Sequence, residues 1–227
     1  MFEGAEMLRH LEDAGLQAPY LERLAAYGAV LLQANRTFNL TGAKTTAELA
    51  RHLIDSLSVA PFVSGRLVDI GSGGGLPAIP LAIATGVEVT MVESTVKKAV
   101  FLASALAELG LAGRVISKRA ELAAHNPELR ERFDCGTARA VSTASTVAEL
   151  LLPFLRVGGT AILQRGALEE PERHALADAA LMLGGRLEDE RPLNGGRRIL
   201  VVRKVGATPQ KFPRRAGIPE KRPLCSP

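Results

Sequence analysis

A glycine-rich segment with the composition of a ligand-binding turn spans residues 68–77 and reads VDIGSGGGLP. Glycine lets the backbone bend tightly and lets a ligand approach where a Cβ atom would clash. The segment joins a short apolar run to a helix-like stretch, and open α/β proteins bind their ligands at such strand-to-helix turns. The glycines alone do not identify the ligand, because dinucleotide-binding folds carry glycines at the same turn.

Two features of this turn favour S-adenosylmethionine (SAM) over NAD as the ligand. Asp69 stands two residues before Gly71, where its carboxylate would repel a pyrophosphate but attract the cationic amino-acid end of SAM. The turn also lacks the G-x-G-x-x-G spacing of dinucleotide-binding folds, and two prolines follow early in the helix. We therefore predict that Asp69, Gly71, Gly73 and Gly75 form part of a SAM site.

Further polar residues follow the next predicted strands, and each has two interpretations. Glu93 ends the second strand, 24 positions after Asp69, where a carboxylate can accept both ribose hydroxyls or can instead cap the following helix. Ala120 and Glu121 follow the third strand, either at the adenine edge of the ligand or as an ordinary helix start. Arg139 follows the fourth strand, either on the ligand-binding rim of the sheet or in a surface loop.

The elements that must position these residues alternate between strands and helices. Apolar residues at helical spacing predict three N-terminal helices over residues 5–14, 20–34 and 46–58. Helical stretches near 76–85, 95–109, 143–155 and 169–182 then alternate with β-branched runs, which are LVDI, VEVTMV, RVISK, FDCGTA, TAILQ, RLEDE and RRILVVRK. This rhythm predicts an α/β, Rossmann-like sheet with helices on both faces and an N-terminal helical cap.

We expect one structural unit with three parts. Residues 1–60 form the helical cap, residues 61–205 form the SAM-binding domain, and residues 206–227 form a basic C-terminal tail that four prolines keep extended. The sequence Asn194-Gly195-Gly196 lies between the last two strand-like runs and predicts a hairpin. That hairpin would place an antiparallel strand at the end of the sheet.

The composition is typical of a globular cytoplasmic protein. With 47% hydrophobic and 23% charged residues, the chain can bury a core. Cys135 and Cys225 have no metal-ligand spacing, and we expect Cys135 to be a buried thiol inside a strand. The N-terminus lacks the apolar core of a signal peptide, and no apolar run approaches the roughly 20 residues of a membrane span. We therefore expect neither a membrane nor a metal partner.

The positive charge is concentrated near the C-terminus and predicts a polyanionic partner. Residues 197–227 hold nine Lys and Arg against one acid, a balance of +8, whereas the rest of the chain sums to −4. Such a segment favours RNA phosphates, although a solvated tail that only aids solubility has the same composition. The candidates for sequence-independent phosphate contact are Arg197, Arg198, Arg203, Lys211, Arg214, Arg215, Lys221 and Arg222.

Two pairs of residues on predicted helices have no decisive interpretation. His52 and Asp55 lie three residues apart and share one helix face, where they contact the active site or simply each other. Lys97 and Lys98 begin the helix after Glu93, and a solvated helix face explains them as well as phosphate contact does.

Seven motifs in a fixed order resemble the bacterial small-subunit rRNA guanine-N7 methyltransferases, also called glucose-inhibited division protein B. In this chain they are NLTGAK, RHLIDSL, VDIGSGGGLPAIPLAI, VESTVKKAVFL, RAE, TARAV and PRRAGIPEKRPL. The resemblance covers about residues 39–224, which is most of the chain, and the combination is specific although no single motif is.

The resemblance implies a class I methyltransferase fold, SAM as methyl donor with S-adenosylhomocysteine as product, and guanine 527 of 16S ribosomal RNA as target, in free RNA or in a small-subunit particle. It implies SAM contacts at Gly71, Leu76, Ala120, Glu121 and Arg139, the last also as a positioning residue, with Glu93 as ribose partner. The family usually has Lys-Gly after the fifth strand, where this chain has Arg165-Gly166. A guanidinium and an ammonium differ in geometry, so we assign Arg165 only an RNA contact.

Methylation of guanine N7, which the resemblance implies, is consistent with the absence of a motif for methylating amino groups. Guanine N7 carries a free lone pair, so methylation there needs no prior deprotonation and can depend mainly on positioning. No NPPY-type motif, as used on exocyclic amino groups, follows the fourth strand. Two other hypotheses are a small-molecule SAM-dependent methyltransferase with a helical lid, and an RNA-binding protein that kept the fold but lost the cofactor. The basic tail disfavours the first, and Asp69, Gly71, Gly73, Gly75 and Glu93 disfavour the second.

Overall fold

A seven-stranded sheet forms the centre of the chain in the computed structural model, which describes residues 2–16, 19–139, 142–193 and 196–225. The strands are β1 (Leu67–Ile70), β2 (Val89–Val92), β3 (Gly113–Ile116), β4 (Phe133–Arg139), β5 (Leu155–Gly166), β6 (Gly185–Pro192) and β7 (Arg197–Lys204). The seven predicted runs all form strands. LVDI and RRILVVRK have the predicted bounds, and the other strands differ by one or two residues at their ends, except that β5 begins five residues earlier than predicted.

The helices alternate with the strands after an N-terminal group of three. They are α1 (Phe2–Asp13), α2 (Leu21–Asn35), α3 (Thr46–Leu57), α4 (Ala78–Thr85), α5 (Val96–Glu108), α6 (Ala120–Ala123), α7 (Ala144–Leu151), α8 (Glu170–Met182) and α9 (Ile218–Lys221). The 3₁₀ turns Ala60–Phe62 and Leu152–Phe154 precede β1 and β5. No helix within the described residues is long and apolar enough to cross a membrane.

The strand order is β3-β2-β1-β4-β5-β7-β6, and β1 to β5 are parallel. The order reverses between β1 and β4, which is the point where open α/β sheets leave a crevice for a ligand. The prediction of an antiparallel strand at the sheet end needs correction, because β7 is antiparallel but lies between β5 and β6. The apolar centre of β7 is buried, so it takes the inner position, and the charged β6 takes the edge. The predicted turn residues Asn194 and Gly195 lie outside the described residues.

The two faces of the sheet carry separate apolar cores. Helices α1 to α5 pack on one face, and α6 to α8 pack on the other together with part of the tail. Because side chains alternate along a strand, Leu67 contributes to the first core and Val68 to the second. Cys135 is confirmed as a buried thiol within β4, where it donates a hydrogen bond to the Ser64 carbonyl. Burial raises the pKa of this thiol to about 11, so it is not poised as a nucleophile.

The tail begins at the edge of the sheet where β1 to β5 start, and a buried lysine anchors it there. Lys204 is fully buried, and its Nζ atom donates to the Glu131 carboxylate at 3.0 Å and to the Leu152 carbonyl at 3.1 Å. The same ammonium contacts the Thr208 hydroxyl, whose own proton goes to the Leu183 carbonyl. Burial lowers the pKa of Lys204, and the hydrogen bonds to Glu131 counteract that shift.

The tail then crosses α6 and α7 to the opposite edge, where the parallel strands end; we call this edge the rim. Arg214 forms a bidentate ion pair with Glu149, whose side chain is fully buried in α7. Further along, the Thr146 hydroxyl donates to the Pro219 carbonyl, and the Gly217 amide donates to Glu121. The prediction of an extended tail needs correction, because residues 205–225 form a series of turns and bends with the short helix α9, and this stretch is packed on the sheet domain.

Replacing Arg214 by Ala should lower the free energy of unfolding by about 3 kcal/mol, because it leaves the Glu149 carboxylate buried without its cationic partner. Urea unfolding measures the loss. The neighbouring Arg215→Ala removes the same side chain from an exposed position and should change stability by less than about 0.5 kcal/mol. Equal losses in the two variants would contradict the role of this ion pair as an anchor.

Candidate active site

Two connected cavities lie at the rim, beside the point where the strand order reverses. The first, of about 270 Å³, lies under the loop that precedes α3 and is lined by Thr41, His52, Arg139 and the glycine-rich turn. The second, of about 110 Å³, lies between the ends of β1 and β2 and the start of α6. Gly71 lines both cavities, so they form one elongated site that spans the turn.

The glycines of the turn differ in what they do. Gly71, Gly73 and Gly75 have positive φ angles of 64°, 55° and 93°, a region that L side chains rarely adopt. Gly73 borders the first cavity, and a Cβ atom there would find no other atom closer than 3.8 Å. A Cβ atom on Gly75 would instead lie 2.6 Å from Ile79. Gly71 and Gly73 thus face the ligand space, and Gly75 supports the turn by close packing.

Asp69 is almost completely buried at the end of β1, beneath the turn. Its Oδ1 atom accepts a hydrogen bond from the Thr137 hydroxyl at 2.7 Å, whereas Oδ2 is buried and has no partner within the described residues. Burial raises the pKa of this carboxyl to about 7, although the hydrogen bonds act in the opposite direction. An unsatisfied carboxylate oxygen in this position can be compensated by a cationic group of a ligand.

Glu93 follows β2, and each oxygen of its carboxylate accepts a hydrogen bond from a backbone amide. Its Oε2 atom accepts the Gly73 amide at 2.9 Å, and its Oε1 atom accepts the Thr95 amide at 2.7 Å, just before α5. Thr95 is itself the N-cap residue of α5, whose first turn has no side-chain cap, so the helix-cap interpretation is wrong and Glu93 instead fixes the residues that lead into the helix. Because each carboxylate oxygen has a second lone pair, Glu93 retains acceptor capacity for ribose hydroxyls.

Ala120 and Glu121 line the smaller cavity, and their contact with adenine stays a prediction. Glu121 is buried and accepts hydrogen bonds from Arg119 and, at 2.7 Å, from the Gly217 amide of the tail. Burial raises the pKa of Glu121, but these hydrogen bonds outweigh it and hold the pKa below its usual value. The tail thereby fixes one wall of this cavity.

Arg139 ends β4 and binds helix α3 of the cap, beside the cavity that the glycine-rich turn also lines. Its guanidinium donates to the His52 carbonyl and to the Ser56 hydroxyl, both at 3.3 Å, and lies 3.5 Å from the Asp55 carboxylate. Arg197 pairs with the same Asp55 oxygen. Burial lowers the pKa of Arg139, and the Asp55 carboxylate counteracts the shift. The surface-loop interpretation of Arg139 is therefore wrong.

The structure also shows what His52 and Asp55, the two residues on one face of α3, contact. His52 does not bond to Asp55; its Nδ1 atom is 3.2 Å from the Thr41 hydroxyl, and its ring borders the first cavity. Burial and the nearby Arg139 guanidinium lower the pKa of His52, so the ring is neutral at physiological pH. Thr41 was not among the predicted site residues, and only its place in the NLTGAK motif signalled it.

Most of the predicted RNA-contact residues on the sheet are paired with acids. The ion pairs join Arg165 to Glu172, Arg197 to Asp55, Arg198 to Glu190 and Arg203 to Glu188. Arg165, Arg197 and Arg198 lie at the rim, because β5 and β7 place them at paired positions there. Arg203 lies at the opposite edge of the sheet, near Gly158.

Among the basic residues of the tail, one is paired with a buried acid and others are exposed. The buried ion pair with Glu149 removes Arg214 from the set that can contact RNA. Lys211 lies over the Phe212 ring, near the buried Lys204 anchor at the edge of the sheet opposite the rim. Arg215, Lys221 and Arg222 are exposed beside α9, which the Gly217 and Pro219 hydrogen bonds fix at the rim. Those three define the basic rim patch.

Comparison with known proteins gives a consistent result. The family model described as rRNA small subunit methyltransferase G matches residues 20–200. The curated protein of that name from Pelotomaculum thermopropionicum is 43% identical over 210 residues, which cover 87% of this chain and 88% of the relative. Its counterpart from Deinococcus deserti is 37% identical and covers 96% of this chain and 95% of its own length.

Solved structures share the fold at low identity. An O-methyltransferase from Bacillus cereus in complex with SAH has a TM-score of 0.56 and 19% identity, covering 79% of this chain and 91% of that one. The O-methyltransferase TomG from Streptomyces achromogenes, in complex with SAM, has a TM-score of 0.52 and 18% identity, covering 79% and 90%. These similarities confirm the predicted Rossmann-like α/β fold of class I methyltransferases.

The raised pKa of Asp69 should make stability depend on pH. The carboxyl has its ordinary pKa of 3.8 in the unfolded chain and about 7 in the folded chain, so between these values only the folded chain keeps the proton. The free energy of unfolding should fall by about 4 kcal/mol through this group as the pH rises across that window. Urea unfolding at several pH values, without added ligand, measures the dependence.

Asp69→Asn keeps the acceptor for Thr137 but cannot ionise, so this component should disappear from its pH profile. Asp178→Asn makes the same change on the exposed face of α8 and should keep the wild-type profile. A profile that is unchanged in Asp69→Asn would show that this carboxyl is not the titrating group.

Proposed function

Because the chain belongs to the rRNA small subunit methyltransferase G family, we propose that it transfers a methyl group from SAM to N7 of a guanine in 16S ribosomal RNA. By the family resemblance, this is guanine 527, and the product of the donor is S-adenosylhomocysteine. The observation that carries the proposal is the half-satisfied Asp69 carboxylate beneath an open glycine turn at the rim. The cytoplasm, where ribosomal subunits assemble, is the expected location.

The residues that line the two cavities, together with Asp69 and Glu93 directly behind the lining, fit SAM in charge and shape. Asp69 offers a buried, unpartnered oxygen to the ammonium group, and Gly71, Gly73 and Leu76 leave room beside the turn. Glu93 offers acceptors for the ribose, while Ala120 and Glu121 border the cavity proposed for adenine. SAM, when bound, supplies a methyl group on a sulfonium that a lone pair can attack.

Positioning is the proposed contribution of the protein to the reaction. Guanine N7 is an acceptor with a free lone pair, so no side chain has to remove a proton from it. Correct placement of two reactants can supply roughly 7 to 11 kcal/mol of a barrier. Arg139 suits a positioning role, because the cap and Asp55 fix its guanidinium in place. The guanidinium lies between the first cavity, which we call the cofactor cavity, and a further cavity beside it.

The target base has to leave a helix to reach this site. N7 lies on the major-groove edge, and the A-form major groove of RNA is too deep and narrow for side chains to enter. An unpaired or flipped-out guanine meets the requirement. The basic rim patch of Arg215, Lys221 and Arg222 then suits the flanking phosphates, which position the RNA without reading its sequence.

The proposal is tested by incubating the protein with methyl-labelled SAM and small-subunit particles that lack the modification, and then mapping the label. Label on one guanine N7 would support enzyme class, donor and target together. SAM binding without any label on the particle would favour the small-molecule methyltransferase instead. Failure to bind SAM would favour an RNA-binding protein without a cofactor.

Gly73→Asp should abolish methyl transfer and SAM binding while the chain still folds. A Cβ atom fits at this position, but the new carboxylate would fill the cofactor cavity near Glu93. Calorimetric titration with SAM and the labelling assay measure both losses. Gly86→Asp is the matched control, because Gly86 also has a positive φ and open surroundings but lies after α4, away from both cavities. Normal activity in Gly73→Asp would contradict the assignment of the cofactor cavity.

Replacing Arg215, Lys221 and Arg222 together by Gln should raise KM for the particle and reduce the salt dependence of binding, because fewer counterions are released. SAM affinity should not change. The control triple variant replaces Arg186, Arg203 and Lys211 by Gln, which removes the same charge from the opposite edge of the sheet. Equal effects of the two triple variants would show that net charge, and not the rim patch, governs RNA binding.

A further inference from the structure

A third cavity, of about 310 Å³, lies at the rim next to the cofactor cavity, and we call it the acceptor pocket. Arg139 lines both spaces, so a ligand in one adjoins a ligand in the other. Ala138, Val147 and Leu163 provide an apolar floor. The volume is at the lower end of the range for small-ligand sites and suits one nucleobase better than a larger group.

A buried carboxylate stands on one side of the acceptor pocket. Asp55 is 94% buried on α3, and its two ion pairs, with Arg139 and Arg197, both use the Oδ2 atom. Within the part of the chain that the structure describes, neither carboxylate oxygen of Asp55 accepts a hydrogen bond, and Oδ2 is the one that is completely buried. The two arginines hold the carboxylate in place, and its acceptor capacity remains incompletely used.

Two further polar atoms at the acceptor pocket are buried without a partner. The Gln164 side chain is 96% buried, and its Nε2 atom donates to the Asp55 carbonyl at 2.8 Å, which leaves its Oε1 atom without a hydrogen bond. The Arg165 Nε atom is unpartnered as well, although its terminal nitrogens bond to Ser142 and Glu172. Buried polar groups are nearly always satisfied, so these atoms point to a polar ligand.

We propose that the acceptor pocket binds the target guanine and that Asp55 is the residue that selects guanine, by accepting hydrogen bonds from N1–H and the 2-amino group. This inference rests on the proposed function and deepens it. A carboxylate matches two adjacent donors, which guanine presents on its Watson–Crick edge. Adenine presents the N1 lone pair at the same place, which the carboxylate repels.

The arrangement also leaves the reacting atom accessible. When the Watson–Crick edge of guanine is bound, N7 lies on the other edge of the base and stays free to face the methyl donor. Gln164 adds a further acceptor, and Arg165 Nε adds a donor of the kind that O6 requires. An RNA phosphate is a poorer occupant despite the arginines, since the Asp55 carboxylate and Gln164 Oε1 would both repel it.

The test compares guanosine with inosine at the target position of particles reconstituted from unmodified 16S RNA. Inosine lacks only the 2-amino group. The wild-type protein should methylate the guanosine particles with a kcat/KM about tenfold or more above that for inosine, as expected for a lost hydrogen bond to a buried carboxylate. Asp55→Asn presents one acceptor and one donor, so it should lower the rate on guanosine and bring the ratio close to one.

The ratio separates base selection from a structural role of Asp55. A variant with damaged packing loses activity on both particles alike and keeps the wild-type ratio, which would overturn the inference. Asp189→Asn makes the same change in an exposed pair with Arg191 and should keep both ratio and rate. If Asp55→Asn does not fold, the wild-type ratio decides, because equal rates on guanosine and inosine also overturn the inference.

The outcomes distinguish base selection by Asp55 from the proposed methyltransferase function on which it rests. Methylation of guanosine particles by the wild-type protein without discrimination against inosine overturns the role of Asp55 and leaves the methyltransferase function intact. It would also favour a phosphate as the occupant of the acceptor pocket. Absence of methyl transfer to guanosine particles overturns both proposals at once.

Discussion

The hydrogen bond between the Thr137 hydroxyl and the buried Asp69 carboxylate joins β1 to β4 at the position where the strand order reverses. The register that pairs these two residues sets the rest of the rim, because it brings the glycine-rich turn and Arg139 to the same edge. The cap closes over this edge from above, where the Tyr27 hydroxyl donates to the Gly74 carbonyl at 2.5 Å. Because the sheet and the cap bury this carboxyl, its pKa rises to about 7, and the hydrogen bond from Thr137 offsets only part of the cost of ionising it.

Local patterns in the sequence were sufficient to predict the sheet and the convergence of the proposed cofactor residues at one edge of it. Apolar periodicity marks the strands and the longer helices, and parallel strands end at one edge, so Gly71, Glu93, Glu121 and Arg139 had to converge. Helices α6 and α9 have four residues each, too few for a periodic pattern. The contacts of Asp55 with β4 and β7 depend on long-range packing, which no spacing along the chain reveals.

Charge counts could not separate structural arginines from those available to a ligand. Arg214 and Arg215 are adjacent and chemically identical, but one is bound to a buried carboxylate and the other is exposed. The same holds for Arg197 and Arg203, which lie at opposite ends of β7 and pair with different acids. A local excess of basic residues thus predicts the partner class, and the pairing in the folded chain determines which cations can reach it.

The course of the tail has a consequence for biosynthesis. Protein chains emerge from the ribosome N-terminus first, and residues 205–225 follow every strand of the sheet. The Gly217 amide that fixes Glu121 and the Arg214 side chain that neutralises Glu149 both belong to this last stretch. A growing chain can therefore form its sheet and glycine turn before residues 205–225 are available, but the Glu121 wall of the second cavity is fixed only once this stretch has docked. The order in which the chain is synthesised thus matches the order in which the site can be assembled.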